Sequence, residues 1–162
     1  MRLEGSCHCQ AVTFSIESRH PYPFNLCYCS ICRKTAGGGG FAINLGGNAD
    51  TLEVSGREHV TIYQAMRPDT ETGELKQSDA RRHFCSLCGS SLWVWDTNCP
   101  ELLHPFASAI DTDLPKAPEQ THLMLDSKAD WVQPCIAGND QSFPEYPAES
   151  LAQWHQRLDL EK

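Results

Sequence analysis

Seven of the nine cysteines in this 162-residue chain fall into three tight groups: Cys7-His8-Cys9, Cys27-Tyr28-Cys29-Ser30-Ile31-Cys32 and Cys85-Ser86-Leu87-Cys88. Structural zinc takes four ligands in a closed tetrahedron, whereas catalytic zinc has three protein ligands and one open position. Seven divides as four plus three. Cys85-x-x-Cys88 followed by Gly89 has the form of a zinc knuckle, in which a tight turn aims two sulfurs at one point. In an extended strand the side chains at i and i+2 share a face, so Cys7 and Cys9 can grip one metal. They are also the only pair left once the triplet is set aside. Cys7, Cys9, Cys85 and Cys88 are therefore expected to close one structural zinc site and clip the start of the chain to its middle. Cys27, Cys29 and Cys32 are expected to hold a second zinc, giving two per chain.

Metal is favoured over disulfides by the expected compartment. The stretch Met1–Ser6 has no apolar run of signal-peptide kind, and no later segment approaches the ~18 apolar residues of a membrane span. A cytoplasmic location follows as the expectation, and thiols there stay reduced. With 40% hydrophobic and 21% charged residues the chain has a globular composition, and its length suits a single domain over 1–162. A formal charge of −8 argues against nucleic acid as a partner, because phosphate-backbone binding needs a basic face.

Hydrophobic alternation predicts strands through Val12, Phe14, Ile16; Phe41, Ile43, Leu45; Val60, Ile62; and Leu92–Trp95. Further strand candidates are Leu102–Ile110, His122–Leu125 and Trp131–Cys135. Residues 67–80 read as a polar loop or an exposed hairpin. Helix is scarce: Ser30 can cap one turn through Ile31–Ala36, stopped by Gly37, and Leu151, Trp154 and Leu158 sit at helical spacing within Ala148–Leu160. The pattern is that of an all-β or β-rich domain with a short C-terminal helix.

The triplet carries the chemistry. If Cys99, Cys135 or a histidine fills its fourth place, the site is inert. If the place is open, a small thiol can enter. Zinc surrounded by thiolates is a poor Lewis acid, and suits the holding of an incoming thiol as a nucleophilic thiolate. Cys27, Cys29 and Cys32 are on that account the expected catalytic site.

Four stretches in order resemble the glutathione-dependent formaldehyde-activating enzyme family, which includes centromere protein V. They are Gly5–Phe14, Cys27–Lys34, Phe84–Gly89 and His122 through Lys128-Ala129-Asp130-Trp131. The resemblance runs from about residue 3 to the Phe143–Pro147 region. It implies a β-tent fold of two sheets meeting at an angle, the same two zinc sites, and glutathione as the small thiol. The reaction it implies is condensation with formaldehyde, a carbon–sulfur lyase-type chemistry. The chain departs from the family pattern at Tyr28, where histidine is common, at Asp130, where proline is common, and in the all-glycine run Gly37–Gly40.

Among the cations, Arg33 follows the triplet directly and is the expected anchor for a glutathione carboxylate; Lys34 and Arg82 read as solvated charge. His8 is expected to point away from the metal, and His122 stands out among the lone histidines only through the family resemblance. Trp93 and Trp95 are expected to pack a sheet, and Cys99 and Cys135 to be buried. Three functional readings follow: a thiol-adduct lyase, a non-catalytic zinc module that binds a protein, and a sulfoxide-reductase-like redox enzyme. The first accounts best for a three-ligand site, and the third would need Cys99 or Cys135 as a reactive thiol.

Overall fold

A computed structural model describes residues 1–69 and 71–161. Its strands are β1 (Arg2–Ser6), β2 (Thr13–Glu17), β3 (Asn25–Cys27), β4 (Ala42–Ile43), β5 (Gly47–Asn48), β6 (Glu53–Ser55), β7 (Val60–Pro68), β8 (Leu75–Cys85), β9 (Ser91–Asp96), β10 (Leu102–Pro105), β11 (Thr121–Leu123) and β12 (Gln141–Ser142). Two helices, α1 (Ser30–Ala36) and α2 (Leu151–Arg157), complete the regular elements among the described residues, apart from short 3-10 turns.

The all-β class expected from the sequence is observed. Hydrogen bonding divides the strands into three sheets, ordered β1-β2-β6, β5-β10-β9-β8-β7 and β12-β11-β3-β4. The first two are antiparallel throughout, and in the third β11 runs parallel to β3 and β12. Alternation along β9 explains how the layers stack. Trp93 packs on one side against Phe14 of β2, edge to face at 5.1 Å, in a core with Leu3, Ile16, Leu45 and Leu103. Its neighbour Val94 points the other way, into a core with Cys27, Cys32, Ala42, Phe106 and Leu123. The five-stranded sheet is thus the middle layer, with β1-β2-β6 on one face and the triplet's sheet on the other.

Gly5 marks how closely the first sheet approaches: an added Cβ would collide with the Ala109 carbonyl and the Phe14 ring. The polar stretch after residue 67 is the exposed hairpin of the two options, β7 pairing with β8 from Val60↔Cys85 to Pro68↔Leu75; Thr70 lies outside the described residues. Two strand expectations fail. Trp131–Cys135 forms no strand, because Val132 turns back to bond the Ala129 carbonyl and Pro134 offers no N–H. The run from Leu102 stays extended only to Pro105, then closes into a 3-10 turn over Ala107–Ala109.

Helix α2 is shorter than its hydrophobic pattern, and it starts where a full capping box stands: Ser150 accepts from the Gln153 backbone and Gln153 returns the bond. Trp154 stacks on Phe24 at 3.7 Å and closes the chain's end onto the sheet. His155 beside it is fully buried, donates through Nδ1 to the Leu151 carbonyl at 2.8 Å, and leaves Nε2 unpartnered.

Burial holds His20, His83, His104, His122 and His155 all below the ordinary histidine range. A group whose folded pKa is depressed takes up its proton more readily when unfolded. Stability therefore rises with pH through the window just below the unfolded value of about 6.5, and is lost beneath it. The thermal midpoint, measured with zinc in excess, is expected to fall between about pH 7.5 and about pH 5.5. His155→Gln should make that fall shallower. A midpoint that rises on acidification would contradict this account.

Candidate functional site

Folding brings seven cysteines into two groups. Cys7, Cys9, Cys85 and Cys88 place their sulfurs within 4.8 Å of one another, and so do Cys27, Cys29 and Cys32. Both groups can hold a metal ion. In the first group the Cys7–Cys9 separation is 3.5 Å and Cys9–Cys85 is 3.8 Å. A tetrahedron with metal–sulfur bonds of about 2.3 Å has sulfur–sulfur edges of about 3.8 Å, so four thiolates here fit a zinc-sized ion. Local bonds aim the sulfurs: the Val12 N–H donates to Cys7 Sγ at 3.2 Å, and the Ser90 hydroxyl lies 3.2 Å from Cys88 Sγ. Those Ser90 contacts are the main reason the Cys88 thiol is lowered to about 5. Gly89 sits at φ +73°, the left-handed conformation that turns the chain back after the knuckle.

The triplet is built where β3 ends and α1 begins. Cys27 is the last residue of β3, Cys29 caps α1 and Cys32 lies within it. The cap is a sulfur rather than the expected Ser30 hydroxyl: Cys29 Sγ accepts from the Cys32 N–H at 3.3 Å. Bonds from the Cys27 and Cys32 thiols, with further backbone bonds, hold Cys29 down to about 2, while the same sharing pushes Cys27 far up. Among the described residues no histidine, cysteine or carboxylate joins the group as a fourth ligand.

Strand β8 is the wall between the two groups. Cys85 at its end faces the four-sulfur group, and Arg82 faces the triplet, its Nη2 3.8 Å from Cys32 Sγ. An odd offset along a strand reverses the face, which is why Cys85 and Arg82 serve opposite sides. Arg82 was expected to be solvated, and this is a correction. Arg33, the expected anchor, lies half-buried on α1 with its Nε buried and unpartnered. Lys34 is exposed as expected.

Tyr146 was not singled out in the sequence. It stands in the Pro-rich segment after β12, which folds back so that Met124, next to β11, donates to the Glu145 carbonyl at 3.0 Å. Leu123 in turn pairs with Cys27. The Tyr146 phenol is pushed up to about 12, first by the surrounding protein and then by the negative charge of Cys27, Cys29 and Cys32, although the residue is 73% exposed.

Tyr28, between two triplet cysteines and just past β3, packs with Leu26 and Val132 rather than with Cys27 and Cys32. Its hydroxyl bonds His122 Nδ1 at 2.9 Å, both residues being 1% exposed, and His122 Nε2 looks toward Asp140 at 3.8 Å. His122 therefore supports Tyr28 from behind. Gly37–Gly40 forms a closed turn, Gly40 donating to the Gly37 carbonyl at 2.9 Å; Gly40 has φ +93° and a Cβ there would strike Val132. His8 is exposed, and Trp93 packs in the sheet as expected. Cys99 and Cys135, expected to be buried, are both exposed: Cys99 lies in the turn between β9 and β10, and Cys135 follows Pro134 in irregular chain.

The molecule is thus a β-rich protein with a closed four-cysteine group and an incomplete three-cysteine group that can each hold a metal. It belongs to the glutathione-dependent formaldehyde-activating enzyme family, whose model matches residues 2–126. The match stops short of the Phe143–Pro147 stretch to which the resemblance extends. A protein of Halomonas elongata, provisionally named a glutathione-dependent formaldehyde-activating enzyme, is 62% identical over 162 residues, spanning 100% of this chain and 99% of that one. A Rhodobacter sphaeroides protein of known crystal structure superposes with a TM-score of 0.52 at 27% identity, covering 71% of this chain and 92% of its own.

The four-sulfur group joins chain segments 76 residues apart, whereas the triplet closes only the loop from Cys27 to Cys32. Loop-closure entropy alone makes the longer link worth roughly 2 kcal/mol more. Elemental analysis of protein purified under reducing conditions is expected to find two zinc ions per chain. Cys85→Ala should unfold or aggregate the protein, and Cys29→Ala should leave it folded with one zinc fewer. Equal losses of thermal midpoint in the two variants would reverse the roles given to the sites.

Proposed function

We propose that the protein is a zinc-dependent, carbon–sulfur lyase-type enzyme that joins a small thiol such as glutathione to an electrophilic carbon such as an aldehyde, or takes the adduct apart. The observation that carries this reading is the incomplete ligand set at the triplet, three converging sulfurs with no fourth protein ligand among the described residues. The family to which the chain belongs, and the name of the Halomonas relative, support glutathione and formaldehyde as the substrate pair.

Cys7, Cys9, Cys85 and Cys88 would hold a structural zinc, and Cys27, Cys29 and Cys32 the reactive one. Zinc bound by the triplet would supply the acidity that keeps an added thiol ionised near neutral pH. In the adduct-forming direction a sulfur–carbon bond forms, the carbonyl π bond breaks onto oxygen, and the proton given up by the thiol returns to that oxygen. Tyr146 stands in the field of the three sulfurs with its phenol kept protonated, and so can deliver this proton and recover one from solvent. Arg33, directly after Cys32, is available to a carboxylate of the thiol. Cys27 and Cys32 are buried and Cys29 half-buried, which keeps water from surrounding the sulfurs. No described helix is long and apolar enough to cross a membrane, and a cytoplasmic location suits an enzyme that depends on reduced thiols.

Calorimetry of glutathione binding in buffers of differing ionisation enthalpy tests the reading. Binding is expected to release about one proton per site near pH 7 and to vanish in Cys27→Ala, Cys29→Ala or Cys32→Ala, while Cys99→Ala binds normally. Tyr146→Phe should bind glutathione as the parent does and lose turnover with formaldehyde, by roughly 10²-fold or more. Failure of glutathione to bind protein that carries two zinc ions would overturn the enzymatic reading.

A further inference from the structure

The sheet that carries Cys27 continues, on the same face, into a cavity of about 230 Å³. β3 and β11 run parallel, with Thr121 opposite Asn25 and Leu123 opposite Cys27. Side chains two apart on a strand share a face, so Asn25 and Thr121 lie about 7 Å along the strands from Cys27 and Leu123. Two residues join the cavity to the triplet. Leu123 lines the cavity and packs in the core with Cys27 and Cys32. Tyr146 lines it from the segment after β12, within the field of the three sulfurs.

The cavity wall is apolar at Phe24, Leu123 and Leu151, and two of its polar groups are already committed. Glu149 has both carboxylate oxygens taken by Arg157, at 2.7 and 3.1 Å. The Ser150 hydroxyl accepts the Gln153 N–H that caps α2. That leaves the Asn25 amide and the Thr121 hydroxyl, neither of which has a hydrogen-bond partner among the described residues. Thr121 is 4% exposed, and the little surface it keeps is wall of this cavity. An enclosed polar group without a partner is destabilising, and a ligand group offering donor and acceptor together removes that penalty. At this size the cavity holds the arm of a ligand rather than a whole one. With Glu149 neutralised, it suits an uncharged arm.

We propose that this cavity is the subsite for an amide group borne by the incoming thiol, with Asn25 and Thr121 as the residues that select it. The inference rests on the thiol-binding reading above and narrows its substrate to thiols with an acylated nitrogen close to the sulfur, as in glutathione. The Asn25 carboxamide offers its N–H to the carbonyl of such a group and its own carbonyl to the N–H, and the Thr121 hydroxyl adds a further donor and acceptor. A thiol held by its sulfur at the triplet and by its amide in the cavity is gripped at two points. That fixes its direction as well as its affinity.

The test compares N-acetylcysteine with 3-mercaptopropionate, which share thiol, chain and carboxylate and differ by one acetamido group. Each is titrated into the zinc-loaded protein by calorimetry, with zinc counted in every variant. The parent is expected to bind N-acetylcysteine more tightly by ~10-fold or more. Asn25→Ala and the isosteric Thr121→Val should each cut that preference by ~3–10-fold, leave 3-mercaptopropionate within about twofold, and keep two zinc ions per chain. Gln133→Ala, at a cavity it shares with His122 on the reverse face of the sheet, should keep the full preference. Absence of any preference in the parent, or a preference unchanged in both variants, would overturn the proposal. So would equal weakening of both thiols, since a merely structural role has that effect. Should Asn25→Ala fail to fold, Thr121→Val decides. If the parent, carrying two zinc ions, binds neither thiol, the thiol-binding reading fails and takes this inference with it.

Discussion

The link between Cys7–Cys9 and Cys85–Cys88 is the constraint on which the other arrangements rest. It ties the end of β1 to the end of β8, and through β8 to the whole five-stranded sheet. Once those ends are joined, β1 and β2 lie across one face of that sheet and the Phe14–Trp93 contact forms the core between them. A four-sulfur cluster reaches this result with little apolar surface at the chain's turns, since metal binding and folding draw on the same free energy.

The second site depends on the first through one strand. β8 runs between them, so that its alternation delivers Cys85 to the closed group and Arg82 to the open one. A shift of β8 by one residue would exchange these faces and leave the triplet without its cation. Stability and function are in this sense set by the register of a single strand. The buried Tyr28–His122 bond backs the triplet from the side away from the sulfurs.

What lies around the triplet also comes from distant parts of the chain. Tyr146 arrives from the segment after β12, held by backbone bonds from Met124 and Leu125 to Glu145 and Phe143. The capping box and the Phe24–Trp154 stack then fasten the chain beyond it. Tyr146 on this strap stands outside residues 2–126, which the family model matches.

The two cysteine groups that can hold a metal were legible in the sequence because coordination is counted in whole sulfurs and turns bring near neighbours together. Seven thiols at those spacings allow one four and one three. The β class was legible too, from period-two alternation, and so was the Leu151–Trp154–Leu158 stripe of α2. Other features depended on long-range pairing. Arg82 reads as ordinary surface charge until β8 has a neighbour on each face, and Tyr146 reads as loop until the strap lies against Met124. Cys99 and Cys135 look like small buried hydrophobes, yet turn and proline chemistry keeps both at the surface. The sequence by itself determined which atoms can bind metal, since ligand chemistry is local. Only the tertiary structure decided which charge and which hydroxyl face the open group, since strand register and chain return are set by packing across the whole molecule.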